Sequence, residues 1–192
     1  MTALTLTFDI LSYWHVGSGF GEGSRADAVV IKSPNGLPIV PGKEVKGLLR
    51  DAVLLLEDSG RVSSGTTVSL FGDRYPGEIS RFDCNPGSLA FSDGTLGKKM
   101  EAWAETHPAE VQFLYTELSS TRIDESGLAM DKTLRTIEVT IPVKLMAIVE
   151  SESSDDNWKD TIRSAAPLVR RLGKLRTRGL GRVQLAVEDR PE

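Results

Sequence analysis

Residues 43–58 read KEVKGLLRDAVLLLED and carry the strongest helical pattern of the chain. Apolar side chains recur there every three or four residues, which places them on one face of a helix: Val45, Leu48, Leu49, Ala52, Val53 and Leu56. The pattern therefore predicts a helix over residues 43–57.

Strand-like segments lie on both sides of this helix. Residues 3–11 alternate apolar and polar positions, as a half-buried strand does, and residues 183–187 (VQLAV) form a closing strand. Between them we predict a short strand at residues 88–92 and a long β-branched strand over residues 136–150, interrupted at Pro142.

A second long helix is predicted over about residues 156–172. Asp155 or Asp156 can cap its start, and Gly173 can stop it. Pro167 is expected to kink this helix or cut it short, because proline removes a backbone donor.

Three other segments are less regular. Residues 28–32 are predicted to form a short strand, and residues 59–87 are predicted to be irregular around the apolar anchor Leu70-Phe71-Gly72. Residues 97–118 are expected to be helical in two pieces, broken before Pro108.

The resulting order is strand, helix, strands, helix, strand. It is the order of a ferredoxin-like or RRM-like domain, in which two helices cover one face of a sheet. We therefore predict an α+β fold, as a single domain over residues 1–192, with irregular insertions and a protruding β-hairpin at about residues 119–140.

Charge is distributed unevenly along the chain. The net charge is −4, but residues 170–182 (RRLGKLRTRGLGR) carry +6, so the remainder carries −10. A basic stripe on an acidic body can hold a phosphate backbone locally while the rest of the protein stays soluble.

Other classes are disfavoured by composition. Cys84 is the single cysteine, which rules out an internal disulfide framework. No apolar run approaches the roughly 20 residues that cross a bilayer, and residues 1–11 lack the features of a secretory signal. We expect a cytoplasmic protein that does not enter a membrane.

The segment 173–182 is the main candidate for nucleic-acid contact. Gly179 and Gly181 lack a Cβ, so backbone N–H groups there can approach a phosphate, and forked charged donors come from Arg176, Arg178 and Arg182. The alternative is a helix C-cap followed by a solvated basic loop.

Four segments carry a family resemblance. LGKLRTRGLGRVQL (172–185) resembles the C-terminal glycine-rich loop of the RAMP superfamily, the repeat-associated proteins of CRISPR effector complexes. WHVGSG (14–19), followed by ADAVVIKSPNGLPIVPGKEVKGLLRDAV (26–53), resembles the N-terminal signature of type III backbone subunits. LFGD and GSLAFSD resemble their middle motifs, and TRIDESGLAMDKTLRTIEV (121–139) resembles their thumb hairpin.

The resemblance implies a modified RRM fold that stacks into a filament along a guide RNA. Its implied partners are guide RNA, single-stranded target RNA, other RAMP subunits and further copies of itself. A lysine or serine near the start of the first helix touches the guide in family members, which favours Lys43 over Lys46; a solvated helix face is the alternative for both.

The thumb resemblance implies that the hairpin 121–135 inserts between bases. Arg122 is then an RNA contact, and Leu128, Ala129 and Met130 form an apolar wedge. A plain exposed turn is the alternative.

The same resemblance assigns chemistry to Asp27. In the backbone subunits that cut target RNA, an aspartate precedes the V-I-K-x-P segment, and RADAVVIKSP places Asp27 there. Cleavage in this class uses the neighbouring 2′-hydroxyl and requires Mg²⁺ or another divalent cation, so Asp27 is both the predicted catalytic residue and the predicted metal ligand. An aspartate in a loop is otherwise more often a turn former or a cap.

Some nearby side chains stay ambiguous. His15 could act as an acid or base, although a packed or surface histidine is commoner. Tyr13, Trp14 and Phe20 could stack on bases, although aromatic residues more often belong to a core.

Three functions remain after these arguments. The leading one is a guide-binding backbone subunit that also cleaves complementary RNA. The second is a structural or capping RAMP subunit that binds guide RNA without chemistry. The third is a stand-alone RNA-processing enzyme, which is disfavoured because the chain has two histidines, His15 and His107.

Overall fold

The computed structural model describes residues 2–23, 25–73, 85–151 and 156–190. The strands are β1 (Thr2–Ile10), β2 (Leu89–Phe91), β3 (Tyr115–Ser120), β4 (Arg135–Thr140), β5 (Lys144–Ser151) and β6 (Val183–Asp189). The α-helices are α1 (Gly42–Asp58), α2 (Thr66–Phe71), α3 (Lys98–Thr106) and α4 (Asn157–Ala165).

Four strands form the main sheet, in the order β2-β5-β1-β6 with antiparallel neighbours. The inward-facing residues of its central strand β1 are Leu4, Leu6, Phe8 and Ile10, which share a core with α1 and α4. Burying each of these side chains stabilises the fold by about 1.5–3 kcal/mol. The α+β class is confirmed, and the strand order agrees with the ferredoxin-like prediction.

Helix α1 matches its prediction closely. Every apolar position predicted to share its inner face is buried. Its first residue, Gly42, packs so tightly on β2 that an added Cβ would lie 2.6 Å from the carbonyl oxygen of Phe91. Glycine is therefore required by close packing at this position.

The second long helix is shorter than predicted. Helix α4 ends at Ala165, and a 3-10 turn over Ala166–Leu168 contains Pro167, so proline cuts the helix as anticipated. Gly173 lies beyond both elements and stops neither. Asp156 occupies the N-cap position without a side-chain cap, and its carboxylate pairs with Lys159 instead; Asp155 lies outside the described residues.

The hairpin is present, but its first strand was misassigned. We predicted two helical pieces over residues 97–118, broken before Pro108. The first piece is α3, which ends at Thr106, but the second is only a 3-10 turn over Val111–Leu114, because β3 begins at Tyr115. Pairing with β4 stabilises the extended conformation of this segment.

Two smaller predictions were also wrong. Helix α2 lies within the stretch 59–87 that was predicted to be irregular. Residues 28–32 form isolated backbone bridges and no continuous strand. No helix among the described residues is both long and apolar enough to cross a membrane.

Candidate nucleic-acid interface and catalytic cleft

A backbone ribbon presents Asp27. Its two arms, residues 16–22 and 26–31, are joined by hydrogen bonds such as Ser18 N–H to the carbonyl of Val29, at 3.0 Å. The second arm lies against the hairpin, because Asp27 N–H donates to the carbonyl of Thr136 at 2.8 Å. Thr136 N–H in turn donates to Asp27 Oδ2 at 2.8 Å.

This arrangement leaves the carboxylate half engaged. Asp27 is exposed, and its Oδ1 makes no hydrogen bond to any described residue. One oxygen therefore fixes the side chain to the hairpin while the other remains accessible to a ligand.

The glycine-rich loop, residues 173–182, approaches from the other side. A 3-10 turn covers Arg176–Arg178, and Gly179 follows it with a φ of 92°, beside open space. At Gly181 an added Cβ would lie 1.9 Å from the carbonyl oxygen of Leu172, and its N–H donates to the carbonyl of Tyr13. Gly179 fits the predicted open backbone, whereas internal packing explains Gly181, whose N–H is already engaged.

The ribbon, the hairpin base and the glycine-rich loop enclose a cleft of about 650 Å³. Asp27 and His15 line it from the N-terminal segment, Arg135 from the hairpin, and Lys174 and Arg178 from the glycine-rich loop. The cleft thus places one carboxylate opposite three cationic side chains. Lys174 and Arg135 were not predicted as site residues, although both belong to segments already assigned to RNA binding.

His15 forms part of the cleft wall. The side chain is 1% exposed, and its Nδ1–H donates to the carbonyl of Glu138 at 2.6 Å. Burial, reinforced by the positive charge of Lys174, lowers the pKa of His15. The ring is therefore neutral near pH 7, and Nε2 is an acceptor without a partner among the described residues.

Glu138 joins the ribbon to the hairpin. Its carboxylate is 1% exposed and accepts hydrogen bonds from Val30 N–H at 3.1 Å and Lys32 Nζ at 2.9 Å. Arg25 lies 3.7 Å from the same carboxylate and pairs with Glu117 on β3 at 2.8 Å. A buried charge with these partners holds the Asp27 ribbon at a fixed angle to the hairpin.

Other predicted RNA contacts lie outside this cleft. Arg176 lines a groove of about 290 Å³ together with Arg170 and Arg171. Arg182 lines a third groove, of about 620 Å³, which also includes Arg170 and Arg171. The basic stripe of the sequence is thus divided between the Asp27 cleft and two other grooves.

The two predicted lysines lie on the outer surface of α1. Lys43 is exposed and Lys46 is half-buried. The first N–H of the helix, from Gly42, already donates to Asp93 Oδ1 at 2.7 Å. Because this carboxylate occupies the positive helix end, Lys43 and Lys46 depend on their own charges to attract a phosphate.

The hairpin tip is exposed and internally hydrogen-bonded. Asp124 Oδ1 accepts hydrogen bonds from the Ser126 hydroxyl at 2.7 Å, from Leu128 N–H at 2.9 Å and from Ser126 N–H at 2.9 Å, and these bonds lower the pKa of Asp124. Leu128 is 67% exposed and Met130 is 41% exposed, and Arg122 is also exposed. The tip presents the apolar side chains that the wedge prediction requires.

The protein offers few side-chain ligands for a divalent cation in this cleft. No group of three or more potential side-chain ligands occurs among the described residues. Mg²⁺ commonly binds through one or two carboxylates, completed by substrate phosphates and water. Asp27 Oδ1 fits that pattern, with RNA supplying the remaining ligands.

Comparison with known proteins identifies the family. The sequence model of the RAMP superfamily matches residues 7–184, a range that includes the whole cleft. The chain belongs to the RAMP superfamily. This confirms the resemblance that was drawn from the quoted segments.

Two solved structures share the fold. One, described as "Type III-B Cmr-beta Cryo-EM structure of the Apo state", matches with a TM-score of 0.67 and 12% identity over 96% of each chain. Another, "Cryo-EM structure of the Type III-B Cmr-beta bound to cognate target RNA", matches with a TM-score of 0.69 and 11% identity over 96% of each chain. Among curated protein sequences, none matches significantly.

Proposed function

We propose that this RAMP-superfamily protein is a backbone subunit of a type III CRISPR effector complex and cleaves target RNA in the Asp27 cleft. The observation that carries the proposal is the convergence on that cleft of Asp27 with Lys174, Arg178 and Arg135. Similarity in fold to Cmr-beta subunits, one of them in a complex bound to target RNA, supports the assignment to an effector complex.

The charges suit one strand of RNA. Three cationic side chains can bind successive phosphates without reading sequence, as a subunit that accepts many guides and targets requires. Asp27 faces the strand and is held at a defined position by Thr136. A carboxylate among cations is disfavoured as a phosphate ligand, so its position favours a chemical role.

The proposed cleavage step uses the neighbouring 2′-hydroxyl as the nucleophile. The 2′-hydroxyl oxygen of the nucleotide before the cut attacks the adjacent phosphorus, while its proton passes to Asp27 Oδ1. The P–O5′ bond breaks, and the leaving 5′-oxygen takes up a proton from water. The products are a 2′,3′-cyclic phosphate and a 5′-hydroxyl.

The cationic residues and a cofactor stabilise the charge that develops. Lys174 and Arg178 stabilise the pentacoordinate transition state at phosphorus, which carries more negative charge than the starting diester. A divalent cation such as Mg²⁺, held by RNA oxygens and water next to Asp27, would add to this stabilisation.

Guide RNA is assigned to the remaining basic surfaces. The groove of Arg170, Arg171 and Arg176 is separate from the Asp27 cleft, and Lys43 and Lys46 add positive charge on α1. These cationic side chains bind guide phosphates, and the Leu128–Met130 tip separates bases. Copies of the chain then stack along one guide, together with other RAMP subunits.

One observation favours a non-cutting subunit as the second candidate. The hydrogen bond from Thr136 N–H to Asp27 also fits an aspartate whose role is to anchor the hairpin. A structural subunit would keep this bond and the basic grooves but lack chemistry.

Two variants separate these candidates in the assembled complex with Mg²⁺ or EDTA. Asp27→Asn keeps an acceptor for Thr136 N–H but loses the charge, whereas Asp27→Ala loses both. Cleavage that requires Mg²⁺ and is lost in both variants, with guide binding unchanged, supports catalysis. Normal cutting by Asp27→Asn would show that Asp27 is an anchor only.

A further inference from the structure

Phe20 is an aromatic residue with a largely exposed side chain. It is 75% exposed, whereas the neighbouring aromatic residue Trp14 is 1% exposed and belongs to the core. Of the aromatic residues considered for base stacking, Phe20 therefore has the most accessible ring.

The backbone of Phe20 is held in place although its ring is not packed. Its N–H donates to Ser18 Oγ at 3.2 Å, and its carbonyl accepts the N–H of Val29 at 3.1 Å. Ser18 Oγ also donates to the carbonyl of Val29 at 3.1 Å. These bonds fix the point from which the ring projects, so little ordering of the backbone is needed when a ligand contacts the ring.

Phe20 lies beside the segment that carries Asp27. At Gly21, the next residue, an added Cβ would lie 3.0 Å from the carbonyl oxygen of Asp27 and 3.2 Å from that of Ala26. Gly21 is thus a glycine because the two arms of the ribbon touch there. The backbone of Phe20 is bonded to Val29, two residues from Asp27, so Phe20 and Asp27 lie on adjacent arms of the ribbon.

We propose that Phe20 stacks on a target-RNA base next to the bond cut at Asp27, and so positions the reacting nucleotide. This inference rests on the proposed function. Single-stranded RNA is commonly held by splayed bases that stack on aromatic side chains, and stacking accepts any base. That tolerance suits a subunit whose target sequence is set by the guide.

The surroundings favour RNA over a protein partner. The ring projects from a polar, glycine-rich segment with the ion pair Glu22–Arg25, at 2.9 Å, in the same ribbon. The centre of a protein interface is commonly a contiguous apolar patch. A lone ring beside a cationic cleft has instead the pattern of a stacking platform next to phosphate contacts.

The direct test uses 2-aminopurine, whose fluorescence is quenched by stacking. Complexes that carry Asp27→Asn are bound to targets with 2-aminopurine at each position around the expected cut. The expected result is quenching at one position per subunit, lost in Phe20→Leu and restored in Phe20→Trp. Phe113→Leu is the matched control, because Phe113 is 73% exposed and lies outside the ribbon.

Affinity and cutting give the second readout. Removing a stacked base contact is worth about 1–3 kcal/mol, so Phe20→Leu is expected to weaken target binding by about tenfold while guide binding is unchanged. Unchanged quenching in Phe20→Leu, or a change in subunit copy number with target affinity intact, would overturn the inference and assign Phe20 to a protein contact. If the parent shows Phe20-dependent quenching but never cuts, the cleavage proposal fails while the stacking contact stands.

Discussion

Asp27 and Thr136 are joined by two hydrogen bonds, each 2.8 Å long, although 109 residues separate them in the chain. The first joins the two backbones, and the second uses one oxygen of the Asp27 carboxylate. The hairpin and the Asp27 ribbon are therefore coupled at the position assigned to catalysis. A change at the hairpin base is expected to move the carboxylate relative to bound RNA.

Replacing Arg176, Arg178 and Arg182 together by Ala should weaken RNA binding by at least tenfold. Each lost charged contact is worth on the order of 1 kcal/mol. The slope of log Kd against log salt should also become shallower by about two, because roughly 0.7 counterions are released per phosphate contact on a single strand. A titration of the assembled protein with RNA at several salt concentrations measures both quantities.

The control for this triple variant is Lys98→Ala with Lys99→Ala. Both lysines are exposed at the start of α3 and line neither the Asp27 cleft nor the basic grooves. If the arginine variant binds like the control at physiological salt, the glycine-rich loop is not an RNA contact.

Gly181→Ala and Gly179→Ala should differ sharply in stability. At Gly181 an added Cβ would collide with the carbonyl oxygen of Leu172, so the variant should lose several kcal/mol of unfolding free energy or fail to fold. At Gly179 there is open space, and only the positive φ is penalised, by about 1 kcal/mol. Urea denaturation measures the difference, and equal losses would contradict the packing argument.

The stability of the protein should fall as pH drops below about 6.5 because of His15. Burial lowers the pKa of His15 in the folded state, whereas an unfolded histidine titrates near 6.5. The unfolded chain therefore binds a proton first, and unfolding becomes easier until the pH is below the folded pKa. His15→Gln should flatten the unfolding free energy between pH 7.5 and 5.5.

Replacing the hairpin tip by a two-residue turn should leave the fold intact. The residues from Thr121 to Lys132 are all exposed, and their described hydrogen bonds stay within the hairpin. Deleting residues 123–133 should shift the melting temperature little, whereas guide-dependent assembly should be lost. Global unfolding of the shortened protein would place the tip in the core instead.

The sequence predicted best the parts of the fold that depend on local pattern. Helix α1 and strand β1 follow from their apolar periodicity, which is set within a few neighbouring residues. Residues 115–118 were misassigned because pairing with β4, across the hairpin, decides their conformation. The short helix α2 offers too few turns for a periodic signal.

The site residues also differ in how far they could be predicted from local sequence. Asp27 and the glycine-rich loop could be nominated from motifs, because their signals are contiguous. The partners that fix them could not, since Glu138 and Lys32 are 106 residues apart and pair only in the folded chain. The role of Gly181 was likewise hidden, because the carbonyl of Leu172 that requires a glycine there is placed by the turn of the loop.

The central claim is tested most directly by target cutting in the assembled complex with Asp27→Asn, at saturating guide and target and with Mg²⁺ present. Asparagine preserves an acceptor for Thr136 N–H, so the hairpin and the guide contacts should be unaffected. The account predicts a cutting rate lower by about 10² or more at unchanged target affinity. A rate equal to that of the parent would contradict it and leave Asp27 as a structural anchor.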